Sequence, residues 1–294
     1  MDIREANSIR REFERADSHS EEEIFLYTEA MGYLICETAD PHVMMALGGF
    51  YYDKKHFDLA LKYYEMAADC KLPAAYEGLG YIWYYGRTGK RDFEKAFHYY
   101  SLAKEAGIME AAVKVADMYK NGYYVERNYE KYKETIEELY PKVLKARFLH
   151  EPLPEVCTRL AMIRKEEGDI DEAVRLLYQA KDFQAQRLRY NNFFGDINIM
   201  KWLIDDLYEM IEFDTNDFDL FDCMWLLRGQ GSVTIGFYHN QTPLKIEAAA
   251  ENGEFTIRWG EDVYPDRDAF YAGAMLNGQR LMSLQDELFG FEVL

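Results

Sequence analysis

Shifted by 36 positions, the middle of the chain matches itself. Phe93, Ala96, Tyr99, Tyr100 and Ala103 fall 36 residues after Phe57, Ala60, Tyr63, Tyr64 and Ala67, and Ala111 follows Ala75 by the same interval. Onward, Gly80, Gly86 and Phe93 map to Ala116, Gly122 and Tyr129, after which the match weakens. A period of this length marks a stack of supersecondary units, because each unit leaves an apolar face that only its neighbour can cover. Each unit reads as two helices, the first centred on Leu79 to Trp83 and the second running from Phe93 to Ala103, with apolar residues every three or four positions. Two helices approach closely only where a small residue admits the facing backbone. Gly80, Ala96 and Ala103 are therefore expected at the crossing, with Trp83 and Tyr100 on its flanks.

The run Gly78-Leu79-Gly80-Tyr81-Ile82-Trp83-Tyr84-Tyr85-Gly86, then Asp92-Phe93-Glu94-Lys95-Ala96, Tyr99-Tyr100, Ala103, Gly107 and Ala111, resembles a Sel-one-like repeat, a longer-looped relative of the tetratricopeptide repeat. The unit before it takes 10 residues from Leu47 to Phe57 where this one takes 14 from Leu79 to Phe93, and so has the shorter tetratricopeptide spacing. A third unit keeps Ala116 but has Tyr132 and Leu139 where Ala is expected. A fourth, with Ala161, Gly168, Ala173 and Ala180, returns to the pattern. The resemblance covers about residues 40 to 185. It implies a mostly α chain built as a right-handed α-solenoid of helix-turn-helix repeats, and a role in holding other proteins. Glu21 to Cys36 reads as one further helix capping the open end of the stack, preceded over residues 1 to 18 by a polar helix or a frayed lead-in. Pro141, Pro152 and Pro154 mark a jog between the third and fourth units.

After about Asn191 the period ends and the charge changes. Residues 190 to 294 hold 19 acidic and 6 basic residues, so -13 of the chain's net -19 lies there. A helix is expected over Ile197 to Ile211, a short one around Leu220 to Leu227, then strands at Ser232–Tyr238, Leu244–Ala250 and Glu254–Trp259, with Asn252-Gly253 as a hairpin turn. Val263-Tyr264 adds an edge strand, Asp266 caps a helix to Leu276, and a last helix follows Gly278. Two domains are thus expected: a repeat solenoid over 1–189 and a small acidic α+β domain with an antiparallel sheet over 190–294. The tail faintly resembles small bacterial immunity-type or adaptor domains, too loosely to transfer any residue.

No arrangement of residues carries a catalytic or cofactor chemistry. The cluster Asp214, Asn216, Asp217, Asp219 and Asp222 lacks the Gly and the closing Glu of a calcium loop. Gly229-Gln230-Gly231 precedes a strand, where a dinucleotide fingerprint requires a helix. The six histidines, His19, His42, His56, His98, His150 and His239, show no zinc spacing. Cys36, Cys70, Cys157 and Cys223 read as reduced, mostly buried thiols. No cofactor or metal is expected, and the chain is read as non-enzymatic. The charge argues against nucleic-acid or anionic-membrane partners, no stretch has the length of a membrane span, and a cytoplasmic location is expected.

What remains is a surface. If the small residue of each first helix (Gly48, Gly80, Ala116, Ala161) faces its own second helix, positions one, four and five later line the concave side. These are Tyr52 in the first unit, Tyr81, Tyr84 and Tyr85 in the second, and Asp117, Lys120 and Asn121 in the third, with Glu77 beside them. Tyrosine buries much area with few rotors and keeps a hydroxyl, which suits a binding anchor. The expected function is a scaffold or adaptor holding a protein partner, a basic one being suited to the net charge. The alternative is an immunity or inhibitor protein that plugs a basic site with Asp214, Asp217, Asp219 and Asp222.

Overall fold

The computed structural model describes residues 1–16, 18–146, 152–190, 194–229, 231–251 and 254–294. His150, Gln230 and the Asn252-Gly253 turn lie outside the described residues. The chain forms two compact units, Met1–Thr135 and Ile136–Leu294.

The first unit is helical: α1 (Ile3–Phe13), α2 (Glu21–Thr38), α3 (Pro41–Asp53), α4 (Phe57–Asp69), α5 (Pro73–Tyr85), α6 (Phe93–Glu105), α7 (Met109–Asn121) and the start of α8 (Tyr129–Lys145). Local chemistry sets their ends. Asp2 with Glu5 and Ser20 with Glu23 form capping boxes at α1 and α2, so the N-terminal lead-in is a well-started helix. Pro41 and Pro73 occupy first-turn positions, where a missing N–H costs nothing. Gly86 ends α5 at φ +64°, and a Cβ there would sit 2.8 Å from the Arg91 backbone nitrogen, so the reversal into the long loop requires glycine.

The helices pack in consecutive pairs through the small residues. Ala60, Ala67, Ala96, Ala103, Ala111 and Ala116 are fully buried. Gly48 lies flat against the ring of Tyr64 and Gly80 against that of Tyr100, each on its own second helix; added Cβ atoms would come within 2.6 Å of those rings. The geometric premise about Gly48 and Gly80 is thereby met. In the third pair Tyr132 is buried where alanine was expected, so a larger side chain fills the crossing. Phe13, stacked 4.1 Å from Tyr27, closes the N-terminal pair.

The second unit holds the remainder of α8, α9 (Leu153–Glu167), α10 (Ile170–Tyr190), α11 (Phe194–Tyr208), α12 (Cys223–Leu226) and α13 (Arg267–Gly273). Its five-stranded antiparallel sheet has the order β4-β3-β2-β1-β7, from β1 (Val233–His239), β2 (Thr242–Glu251), β3 (Glu254–Trp259), β4 (Asp262–Tyr264) and β7 (Leu288–Val293). β5 (Met275–Leu276) and β6 (Gln279–Arg280) form a separate small hairpin. The expected last helix after Gly278 is replaced. Asn277 and Gly278 both have positive φ and make the tight turn between β5 and β6, a 3-10 helix follows over Leu281–Glu287, and the chain ends as β7 beside β1. α13 accordingly stops at Gly273.

The boundary expected after residue 189 falls inside the second unit, at the last residue of α10. That helix serves two neighbours. It pairs with α9 as a repeat would, and its C-terminal half seats the later chain: Gln184 Nε2 donates to the Asp196 carbonyl at 2.9 Å, and Gln285 Nε2 donates to the Ala185 carbonyl at 2.7 Å. The sheet core stacks Phe237 between Trp259 (5.8 Å) and Phe291 (4.8 Å). Cys157 and Cys223 are buried, but Cys36 and Cys70 are exposed, which corrects the expectation of mostly buried thiols: Cys36 lies in the last turn of α2 and Cys70 caps α4. No helix among the described residues is long and apolar enough to cross a membrane.

Candidate functional site

Because Gly80 commits one side of α5 to α6, the other side is left for Glu77, Tyr81 and Tyr85, which recur every four residues and share one stripe. The rings of Tyr81 and Tyr85 lie 4.4 Å apart. Tyr52, from the last turn of α3, meets Tyr81 edge-on at 5.8 Å, so the two first helices present one aromatic surface. All three rings are half-buried.

A cation is built into this surface. The Arg87 guanidinium lies 5.3 Å from the Tyr85 ring, 5.6 Å from Tyr81, 5.8 Å from Tyr52 and 5.9 Å from Phe57. Cation–π attraction to several rings at once holds the tyrosines in one arrangement without covering them. Burial and the neighbouring Tyr81 push the Tyr52 hydroxyl up to about 12, so it is a neutral donor at any physiological pH. On the other flank, α7 contributes Lys114, whose Nζ donates to the Tyr85 hydroxyl at 3.1 Å and lies over the rings of Tyr84 and Tyr85.

Glu77 stands one turn before Tyr81. Burial, and then the like charge of Glu110, push its carboxyl up to about 7 against the pull of Lys114. The hydroxyls of Tyr64 and Tyr100, from the second helices on either side, are close enough to feel its charge.

The remaining expected residues are placed differently. Tyr84 packs against Phe93 (5.6 Å) and Tyr100 (6.1 Å) of its own pair, against Tyr123 (6.1 Å) after α7, and against Tyr85 (5.0 Å) at the edge of the surface. Lys120 lies over the Tyr132 ring of α8 at 5.0 Å, and Asn121 donates to the Asp117 carbonyl at 2.8 Å; these residues form the C-terminal end of α7. Arg87 and Lys114 escaped the sequence reading. Lys114 was within reach of it, since it occupies the position 36 residues after Gly78, where a small residue becomes a long cation. Arg87 sits just past a helix end, in a loop whose path no periodicity predicts.

The acidic segment of the second unit is only partly available as a surface. Asp222 is buried, accepting from Lys181 Nζ at 2.6 Å and from the Tyr208 hydroxyl at 2.8 Å, and Asp219 also pairs with Lys181 at 2.9 Å. One of the four carboxylates named for an inhibitory plug, Asp222, is thus an internal fastener, while Asp219 pairs with Lys181 and stays exposed. Asp214 accepts from the Asn216 backbone and stays exposed.

Residues 43–72, 73–108 and 110–131 each match the Sel1 repeat model, so α3 to the start of α8 are three Sel1 repeats. In fold the chain is similar to a Sel1 repeat protein from Oxalobacter formigenes, with 18% identity and a TM-score of 0.50 over 73% of this chain and 79% of that one. It is also similar to a protective antigen of uropathogenic Escherichia coli displaying an SLR fold, with 15% identity and a TM-score of 0.52 over 77% of this chain and 48% of that one. No curated protein sequence matches the chain. At these identities the structural likeness is one of fold.

Proposed function

We propose that the face made by the first helices of these Sel1 repeats holds a segment of a partner protein, and that the chain works as a non-enzymatic interaction scaffold. One observation carries the reading: Tyr52, Tyr81 and Tyr85 form a continuous half-buried aromatic surface around Arg87, with Lys114 and Glu77 at its margins. Preorganised tyrosines lose little rotamer freedom on binding, and their hydroxyls and the neighbouring charges offer orientation as well as area. Repeat folds of this kind typically hold protein segments, and the excess of acidic residues would speed encounter with a basic partner. Tyr52, Tyr81 and Tyr85 are assigned direct contact, Tyr84 a supporting role, and Asp117, Lys120 and Asn121 the outer margin of the face.

The test is selection of a displayed random-peptide library on the full chain, followed by affinity measurement for the enriched peptides. Paired Tyr81→Ala and Tyr85→Ala substitutions are expected to abolish binding while circular dichroism keeps its helical signal. Phe25→Ala, at an exposed position on α2, serves as the control and should leave affinity unchanged. Peptides that bind the paired variant as tightly as the wild type would remove the assignment.

A further inference from the structure

The charges on the tyrosine face are not equally partnered. Arg87 is held by four rings, and Lys114 by the Tyr85 hydroxyl and two ring faces. Glu77, by contrast, is half-buried and accepts no hydrogen bond among the described residues. Beside it lies a polar group that is fully buried and also without a partner. The Tyr100 side chain is 1% exposed, its ring is pinned against Gly80, its hydroxyl lies among Tyr85, Glu77, Tyr81 and Tyr84, and it has no hydrogen-bond partner among the described residues. Buried polar groups are nearly always satisfied, and exceptions concentrate where something else is meant to satisfy them.

The groups that face Glu77 determine what that something is. They are Tyr64 from α4, Tyr81 on its own helix, Tyr100 from α6, and Glu110 and Lys114 from α7. Lys114 is the cation that acts on Glu77, and its ammonium is already engaged by the Tyr85 hydroxyl. The surrounding tyrosine rings favour a cation and are indifferent to an anion. We infer that Glu77 is the seat of a lysine or arginine side chain of the partner segment, with the Tyr81 ring beside it and the Tyr100 hydroxyl beneath it. This rests on the proposed role of the face and specifies its ligand chemistry. A half-buried carboxylate that works against folding in its charged form is the kind of residue expected at a binding site.

Binding of the cation requires the ionised carboxylate. With the Glu77 carboxyl at about 7 in the free protein, the bound cation displaces its proton, so affinity should rise between pH 6 and pH 8.

The experiment uses the full chain and a displayed random-peptide library. Enriched peptides are expected to share one Lys or Arg. Replacing that residue by norleucine or citrulline should weaken binding to the wild type about ten- to a hundredfold, the range for a charge-assisted hydrogen bond. The same replacement should have little effect on binding to Glu77→Gln, and the rise from pH 6 to pH 8 should be absent in that variant. Peptides that depend on Tyr81 and Tyr85 but share no basic residue, or whose basic residue is equally important to Glu77→Gln, would overturn the seat while leaving the face intact. Enrichment of no peptide that depends on Tyr81 and Tyr85 would overturn both.

Discussion

Replacing Glu77 by Gln should stabilise the protein, and only above the acid range. The carboxyl titrates near 4.5 in an unfolded chain and at about 7 in the folded one. Below pH 4.5 both states carry the proton and the substitution removes only a neutral group. Between 4.5 and 7 the unfolded chain has released its proton while the folded protein keeps it, so wild-type stability falls as pH rises through this window. Above 7 both are ionised, and the folded state bears the full cost of an ionised carboxylate among tyrosines and Glu110. The displacement from 4.5 to about 7 corresponds to about 3 kcal/mol at pH 8 and about 1 kcal/mol at pH 5. Glutamine has the same shape and never ionises, so the variant should gain on the wild type by about 2 kcal/mol between these two pH values. Equilibrium urea unfolding of both proteins at pH 5 and pH 8, followed by far-UV circular dichroism, reads the difference directly. A stability difference that does not change with pH, or a variant less stable than the wild type at pH 8, would refute the argument.

Two glycines should respond oppositely to alanine. At Gly80 the new Cβ would lie 2.6 Å from a buried ring that cannot leave, and Gly80→Ala should cost about 1–3 kcal/mol in urea unfolding. At Gly32, inside α2 with nothing within 4 Å of the added atom, Gly32→Ala should stabilise by about 0.5–1 kcal/mol; equal effects at both sites would contradict the packing described. Lys181→Met leaves Asp222 and Asp219 without their shared cation and should lower stability by about 3–5 kcal/mol, whereas Lys245→Met, at an exposed pair, should change it by less than about 1 kcal/mol. Similar losses from the two lysine variants would show that the Lys181 cluster is not a buried fastener.

The repeats were legible because their constraint is steric and local in sequence. A glycine or alanine every helical crossing leaves a periodic trace, and Gly48, Gly80, Ala96 and Ala103 lie where the spacing put them. The tyrosine stripe followed from the same reasoning, since fixing which side of α5 meets α6 fixes the opposite side. Tyr84 sits at the edge of that side, where it touches Tyr85 as well as the rings of its own pair, and the spacing alone does not separate these roles. The terminal strand was missed because Leu288 to Val293 contains Gly290 at positive φ beside a register shift in its pairing with β1, which interrupts the alternation that announces a strand. The Lys181 to Asp222 pair joins residues 41 apart in sequence, and no local pattern distinguishes its members from solvated charges.

The account stands on the first-helix face being the place where a partner is held. Photocrosslinking of an enriched peptide to full-length protein carrying benzoylphenylalanine at position 52, 81 or 98, one at a time, tests this most directly. Positions 52 and 81 lie on α3 and α5 within the tyrosine surface, while His98 lies on the second helix α6. Crosslinks from 52 and 81 with none from 98 are predicted. Crosslinking from 98 alone would place the partner on the second-helix side and contradict the assignment.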